Sequence, residues 1–181
     1  AKYDNPEELS VSDRNNIGYQ YTDCPLYWIS VIYLNFAEAK AEMGSLTQDD
    51  LNNSINKLQA RAGLPAMTTT PDADPANNMG VSNLIWEIRR CRRCELIMDN
   101  WYRYWDLIRW HQLDKLDSTK YPNTMLGANV SNVPDCEEAT KNGYIDASDA
   151  QIRTYEAKHY FYPIPTTQLT LNKNMKQNPG W

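Results

Sequence analysis

Long apolar runs are missing from this 181-residue chain, and so is any dense tract of lysine and arginine. No segment approaches the roughly 18–20 apolar residues that a membrane-spanning helix needs. No basic start leads into a short apolar region, so Ala1 does not open a secretory leader. Eighteen Lys and Arg are outnumbered by 23 Asp and Glu, a net charge of −5. The positive footprint that a phosphate backbone requires is absent, which sets nucleic-acid binding aside. Histidine occurs only at His111 and His159, with neither HExxH spacing nor a neighbouring Cys/Asp cluster, so no metal site and no cofactor is expected. Cys24, Cys91, Cys94 and Cys136 are too few and too dispersed to frame a small disulfide scaffold. Neither a Ser-His-Asp signature, a phosphate-cradling glycine loop nor a nucleophile elbow is present, and the chain does not read as an enzyme.

What remains is a globular composition, 41% hydrophobic and 23% charged, of a size that fits one domain or a large piece of one. Its aromatics are uneven: six Trp and twelve Tyr against two Phe. Trp and Tyr join an apolar body to a polar handle, which suits wet interfaces and the flat faces of sugar rings as well as cores.

The polar segment up to residue 23 reads as a connection. A first helix is expected from about Cys24-Pro25, with proline in the first turn. Ile29, Ile32, Tyr33, Phe36 and Ala37 form one apolar stripe, and Tyr27, Val31, Leu34 and Ala41 a second, which predicts a helix sandwiched between others. Gly44 ends it. Thr47 and Asp50 make a capping box for a second helix carrying Leu51, Ile55, Leu58 and Ala62, stopped by Gly63. Residues 65–80 are a loop. Ser82 caps a third helix with Leu84, Ile85, Ile88, Cys91 and Met98 inside. A break near Asp99-Asn100 leads to a fourth helix over about Tyr102–Leu116, with Trp105, Ile108 and Leu116 inside and Tyr104, Leu107 and Trp110 flanking. The expected fold is mainly α: tetratricopeptide-like helical hairpins at 24–64 and 82–117, then a loop-rich region and docked tail at 118–181. Within that tail, residues 119–150 show no sustained period, His159–Tyr162 reads as extended, and the last stretch as one helical turn before an extended end. Trp181 needs a pocket there.

Four blocks, in order over about 155 residues, carry a resemblance. They are Val31-Ile-Tyr-Leu-Asn-Phe-Ala-Glu-Ala39; Ile55-Asn-Lys-Leu-Gln-Ala-Arg-Ala-Gly-Leu64; Ile88-Arg-Arg-Cys-Arg-Arg-Cys-Glu-Leu96 with Arg103-Tyr-Trp-Asp-Leu107; and Tyr162-Pro-Ile-Pro165 with Gln177-Asn-Pro-Gly-Trp181. The chain resembles the C-terminal part of the SusD/RagB family of outer-membrane nutrient-binding lipoproteins. The resemblance implies a cell-surface protein, lipid-anchored through an upstream cysteine, that captures a nutrient, most often a glycan, and covers a SusC-like TonB-dependent transporter. It also implies that sequence upstream of Ala1 has been removed, and that much of the ligand groove lies there. The family's Glu between paired arginines is Cys91 here, and Asn100 replaces a Gly, which puts the local salt-bridge network in doubt.

The remaining candidates divide by setting. Cys91-x-x-Cys94 lies mid-helix beside Arg92 and Arg93; without a second pair it reads as small buried filler. Asp106 and Glu95, among Arg89, Arg90, Arg93, Arg103 and Arg109, read as paired structural ions. Trp105 and Trp110 read as core. Trp101 and Tyr102, at the break between helices, are the candidates for ligand contact by ring stacking, with Tyr121, Tyr144 and Tyr155 behind them. Two rival functions differ in what they require. A tetratricopeptide-type adaptor for peptides needs more regular helix pairs, and a glycoside hydrolase-associated domain needs two carboxylates facing each other.

Overall fold

The computed structural model describes residues 10, 12, 27–99, 102–134, 140–148 and 151–181. The chain divides into two compact units, Ala1–Glu95 and Leu96–Trp181. The expected helix start at Cys24-Pro25, the positions of Cys24 and Cys136, and Trp101 lie outside the described residues.

The first unit is helical: α1 (Ile29–Glu42), α2 (Gln48–Asn52), α3 (Ile55–Arg61) and α4 (Asn83–Glu95). Helix α1 packs on α3 and α4, and α3 on α4. Leu34, Leu51, Ile55 and Ile88 are fully buried there, each contributing about 1.5–3 kcal/mol of transfer free energy. The two-sided burial expected of α1 is not seen among the described residues. Val31, Leu34 and Ala37 are buried, but Ile29 and Ile32 are more than half exposed and Phe36 is also open. The helix ends at Gly44 (φ +67°), where the Gly44 and Ser45 amides close on Ala41 O and Lys40 O at 3.0 Å.

Thr47 and Asp50 form the expected capping box: the Asp50 amide donates to Thr47 Oγ1 at 3.1 Å, and the Thr47 amide to Asp50 Oδ2 at 2.9 Å. Lys40 at the end of α1 reaches the same carboxylate at 2.9 Å. The single second helix read from the sequence is two. Ser54 Oγ donates to Asp50 O at 2.6 Å and Asn53 Nδ2 to Asp49 O at 3.0 Å. These local side-chain bonds compete with the helical ladder and turn the chain between α2 and α3. Ala62, expected on the buried stripe, is exposed.

The 65–80 loop is pinned to the helices by side chains. The Asn56 amide brackets Met67, accepting from its N–H at 2.7 Å and donating to its carbonyl at 3.1 Å. Trp86 Nε1 donates to Asp74 Oδ2 at 2.9 Å, which holds the Asp74 carboxyl below its usual range. Ser82 does cap α4, its Oγ accepting from the Ile85 amide at 3.3 Å.

Glu38 and Glu42 of α1 supply the acids for Arg89 of α4, at 3.1 and 3.2 Å. Arg92 Nη1 donates to Asn35 Oδ1 at 2.9 Å. The network that Cys91 seemed to interrupt is thus built between helices. Of the inner face expected for α4, Ile88 is buried while Met98 is almost fully exposed with a positive φ of 63°.

The second unit starts with α5 (Tyr102–Arg109) and a 3-10 turn, Leu113–Leu116, so the expected long fourth helix breaks at His111, whose φ is +53°. Asp106, Leu107, Trp110 and Leu113 are buried and Trp105 is more than half exposed, so Trp110 is core as expected, while Trp105 is outside and Leu107, expected on the flank, is inside. Asp106 pairs with Arg109 at 3.2 Å.

The region read as structureless holds a small antiparallel sheet of β1 (Leu126–Asn129), β2 (Thr140–Lys141) and β3 (Tyr144–Asp146), in the order β1-β3-β2. Asn142 and Gly143, both at positive φ (53° and 80°), make the tight turn between β2 and β3. This Asn-Gly pair is a strong hairpin signal, and sequence reasoning passed over it. The first half of the expected extended run at His159–Tyr162 is instead the end of a 3-10 helix, Ala157–Tyr160, while Phe161 is extended (φ −122°, ψ 130°), before α6 (Thr166–Leu171) and the tail.

Candidate functional site

The second unit carries a cleft of about 380 Å³ walled by Tyr104, Tyr155, Phe161, Tyr162 and Trp181, with Leu113 and Leu116 also in its lining. That volume lies within the range of small-molecule sites. The Phe161, Tyr162 and Trp181 rings are roughly half exposed or more, at 56, 67 and 47%. Large apolar faces gathered at one mouth and left open to water are what a ring-shaped ligand would cover.

Each wall has a local cause. Pro163 and Pro165 lack N–H groups, so Ile164 holds the one amide of that triplet. Gln177 takes it, accepting from Ile164 N at 2.8 Å and donating to Ile164 O at 2.9 Å. Asn178 Nδ2 donates to Tyr162 O at 2.6 Å. The chain then turns at Gly180 (φ +87°), where a Cβ would lie 2.9 Å from Lys158 Cβ, so only glycine fits without a shift. Trp181 lands with its indole N–H on Phe161 O (2.8 Å) and Lys158 O (3.2 Å), and the Lys158 ammonium stands 5.2 Å over the ring. The pocket required for Trp181 is therefore a seat that satisfies its nitrogen and leaves a face to the cleft.

The opposite wall hangs on Asp117. Its carboxylate accepts from Thr119 Oγ1, from Thr119 N at 2.9 Å and from Tyr155 N at 3.2 Å. These bonds, the Thr119 hydroxyl first, hold its pKa down to about 2. Ser118 N donates to Arg153 O at 2.9 Å and Arg153 N to Ser118 Oγ at 3.0 Å, fixing 153–155 alongside. Tyr155 stacks edge-on against Tyr160, centroids 5.7 Å apart, and burial pushes its hydroxyl pKa up to about 12. Tyr104 and Tyr162 share a hydroxyl contact at 3.2 Å, which raises the Tyr104 pKa. His159 accepts from Glu156 N on Nδ1 at 3.0 Å. Among the described residues no Asp or Glu lines the cleft, so no facing carboxylate pair is seen there.

Of the ring-stacking candidates, Tyr155 is brought into this cleft. Tyr102 opens α5, half-buried, and does not line the cleft. Tyr121 is engaged by Lys115, whose Nζ donates to its hydroxyl at 2.8 Å, and Tyr144 sits in β3. Sequence reasoning missed Phe161, Tyr162 and Trp181 as one surface. The signal was the conjunction of Tyr160-Phe-Tyr162 with a docked Trp181. Glu95 pairs with Arg61 at 2.6 Å, in keeping with its structural reading. Cys91 and Cys94 are free thiols, and burial pushes the Cys91 thiol up to about 12, far from a reactive thiolate. Among the described residues no group of three or more His, Cys, Asp or Glu side chains is placed to hold a metal, and no helix is long and apolar enough to cross a membrane.

The described residues thus form a mainly helical chain with an open aromatic cleft and a bracketed, docked tail. The profile of the SusD family matches residues 6–181, and the chain belongs to that family. Among solved structures it is similar to a SusD-like protein from Bacteroides fragilis, at 25% identity and a TM-score of 0.57 over 84% of this chain. The chain spans about a quarter (25%) of the length of that structure. No curated protein sequence matches significantly. Proteins of the family generally bind nutrients, glycans above all, in uptake at the outer membrane.

Proposed function

We propose that this chain is part of a surface protein that captures a glycan and passes it to a SusC-like TonB-dependent transporter, held at the outer membrane by a lipid anchor upstream of these residues. Family membership supports the setting, and the open aromatic cleft is the observation that supports a sugar as ligand. Stacking a pyranose face on Phe161, Tyr162 or Trp181 buries apolar C–H surface while the hydroxyls remain in water or reach Tyr104 and Tyr155. The helical hairpins 24–64 and 82–117 would serve as scaffold, and Trp101 with Tyr102 as a second contact.

A glycan array followed by calorimetry, on this chain and on a longer form of the protein, tests the reading. A Phe161→Ala, Tyr162→Ala pair should weaken binding about tenfold or more, the scale of losing stacked aromatic area. A Trp101→Ala, Tyr102→Ala pair reports the second contact. Loss only in the latter would move the site to the α4–α5 connection. Binding of no glycan by either form would reject sugar capture.

A further inference from the structure

The cleft is not electrically neutral. Arg153 is in its lining, and among the described residues no acidic side chain is. In a chain of net charge −5 that is an unusual local balance. The ties of Arg153 to Ser118 run through its own backbone N and O, which fixes the residue without using its side chain. Among the described residues no ion pair engages its guanidinium. The nearby basic side chain, Lys158, is spent: it pairs with Glu156 at 3.2 Å and covers the Trp181 ring. Two acids stand close by and neither is among the described lining residues: Asp117, an ionised carboxylate whose oxygens accept from Thr119 and the Tyr155 amide, and Asp114, near enough to act on Tyr155. His159 is also in the lining, its Nδ1 accepting from the Glu156 amide.

We infer that the cleft is a subsite for a sugar residue bearing a carboxylate, a uronic acid, with the ring on the aromatic wall and the acid on the Arg153 guanidinium. This rests on the glycan reading above and narrows it. The planar guanidinium presents paired N–H donors that match a carboxylate's two oxygens, and no described lining residue is an acid. A neutral sugar would use the ring wall and leave the cation unmatched.

The test is calorimetric titration with oligogalacturonate and oligoglucuronate, beside their carboxyl-reduced neutral counterparts of the same linkage. At least one uronate should bind about tenfold more tightly than its neutral counterpart, the size of a charge-assisted hydrogen bond. Salt should erode that advantage, because the guanidinium is exposed. Arg153→Gln should abolish it, bringing acid and neutral partners to about the same affinity. The Ser118 ties, being backbone bonds, survive the substitution, and an unchanged circular dichroism spectrum would verify the fold. Equal affinity for acid and neutral partners, an Arg153→Gln variant that keeps the preference, or a preference for sulfated over uronate chains would each overturn the inference and leave glycan capture standing. No binding to any oligosaccharide would remove both.

Discussion

Asp50 gathers three chain segments on one carboxylate: the Thr47 amide and hydroxyl, the end of α1 through Lys40, and its own helix. The Lys40 bond is the largest of the effects that hold its pKa near 2, against an ordinary 3.8. A depressed acid stabilises the fold fully above its unfolded value and loses that contribution as the pH falls through about 2. Thermal unfolding of Asp50→Asn and the parent should therefore differ at neutral pH and converge as the pH drops from about 4 toward 2. A gap that stays constant with pH would mean the carboxylate's charge is idle. Thr47→Ala removes the reciprocal cap and should cost about 1 kcal/mol in urea unfolding. Gly180 makes a sharper case. Alanine there meets both the positive φ and the Lys158 side chain, so the Trp181 indole should leave its two carbonyls, seen as a red-shifted tryptophan emission.

Between elements, the contact of α1 with α4 is part apolar and part ionic. Leu34 and Ile88 are fully buried, and beside them Glu38 and Arg89 form an ion pair with side chains only 3 and 9% exposed. Replacing one partner leaves the other charge buried, so Arg89→Met should lose about 3–5 kcal/mol. A Glu38→Gln, Arg89→Met double variant should recover part of that loss in equilibrium urea unfolding. If the double variant is no better than the single, the cost lies in arginine's packing along the helix and not in the orphaned acid. The tail obeys a different economy. It is attached by an amide side chain acting as a short stand-in for a strand, Gln177 on Ile164, and in the first unit Asn56 does the same for Met67 of the 65–80 loop.

For the molecule as a whole, the sequence read well where local chemistry decides the structure. The Thr47–Asp50 box, the Ser82 cap and the Gly44 and Gly63 stops are all contained in three or four consecutive residues, and all are present. It read poorly where burial decides. Trp105 and Leu107 are both apolar on α5, and spacing alone could not say that leucine goes inside and tryptophan out. The family was legible because its blocks are sequence patterns. The cleft was not, because it assembles Tyr104, Tyr155, Tyr162 and Trp181 from separate stretches through Asp117, Gln177 and Gly180. A reader of the linear chain sees those as a polar loop and a tail.

The Gln177 bracket has one more effect. An extended segment at a protein's surface ordinarily offers a row of unpaired amides and carbonyls on which another chain's strand can grow. In Pro163-Ile-Pro165 two positions have no N–H to offer, and Ile164's N–H and carbonyl are both already taken by Gln177. The Tyr162 carbonyl is held by Asn178, and the Pro165 carbonyl by the first amides of α6. This stretch of the cleft's rim thus offers another strand few open backbone groups, which lets its rings stand in water with less tendency to seed aggregation along that edge.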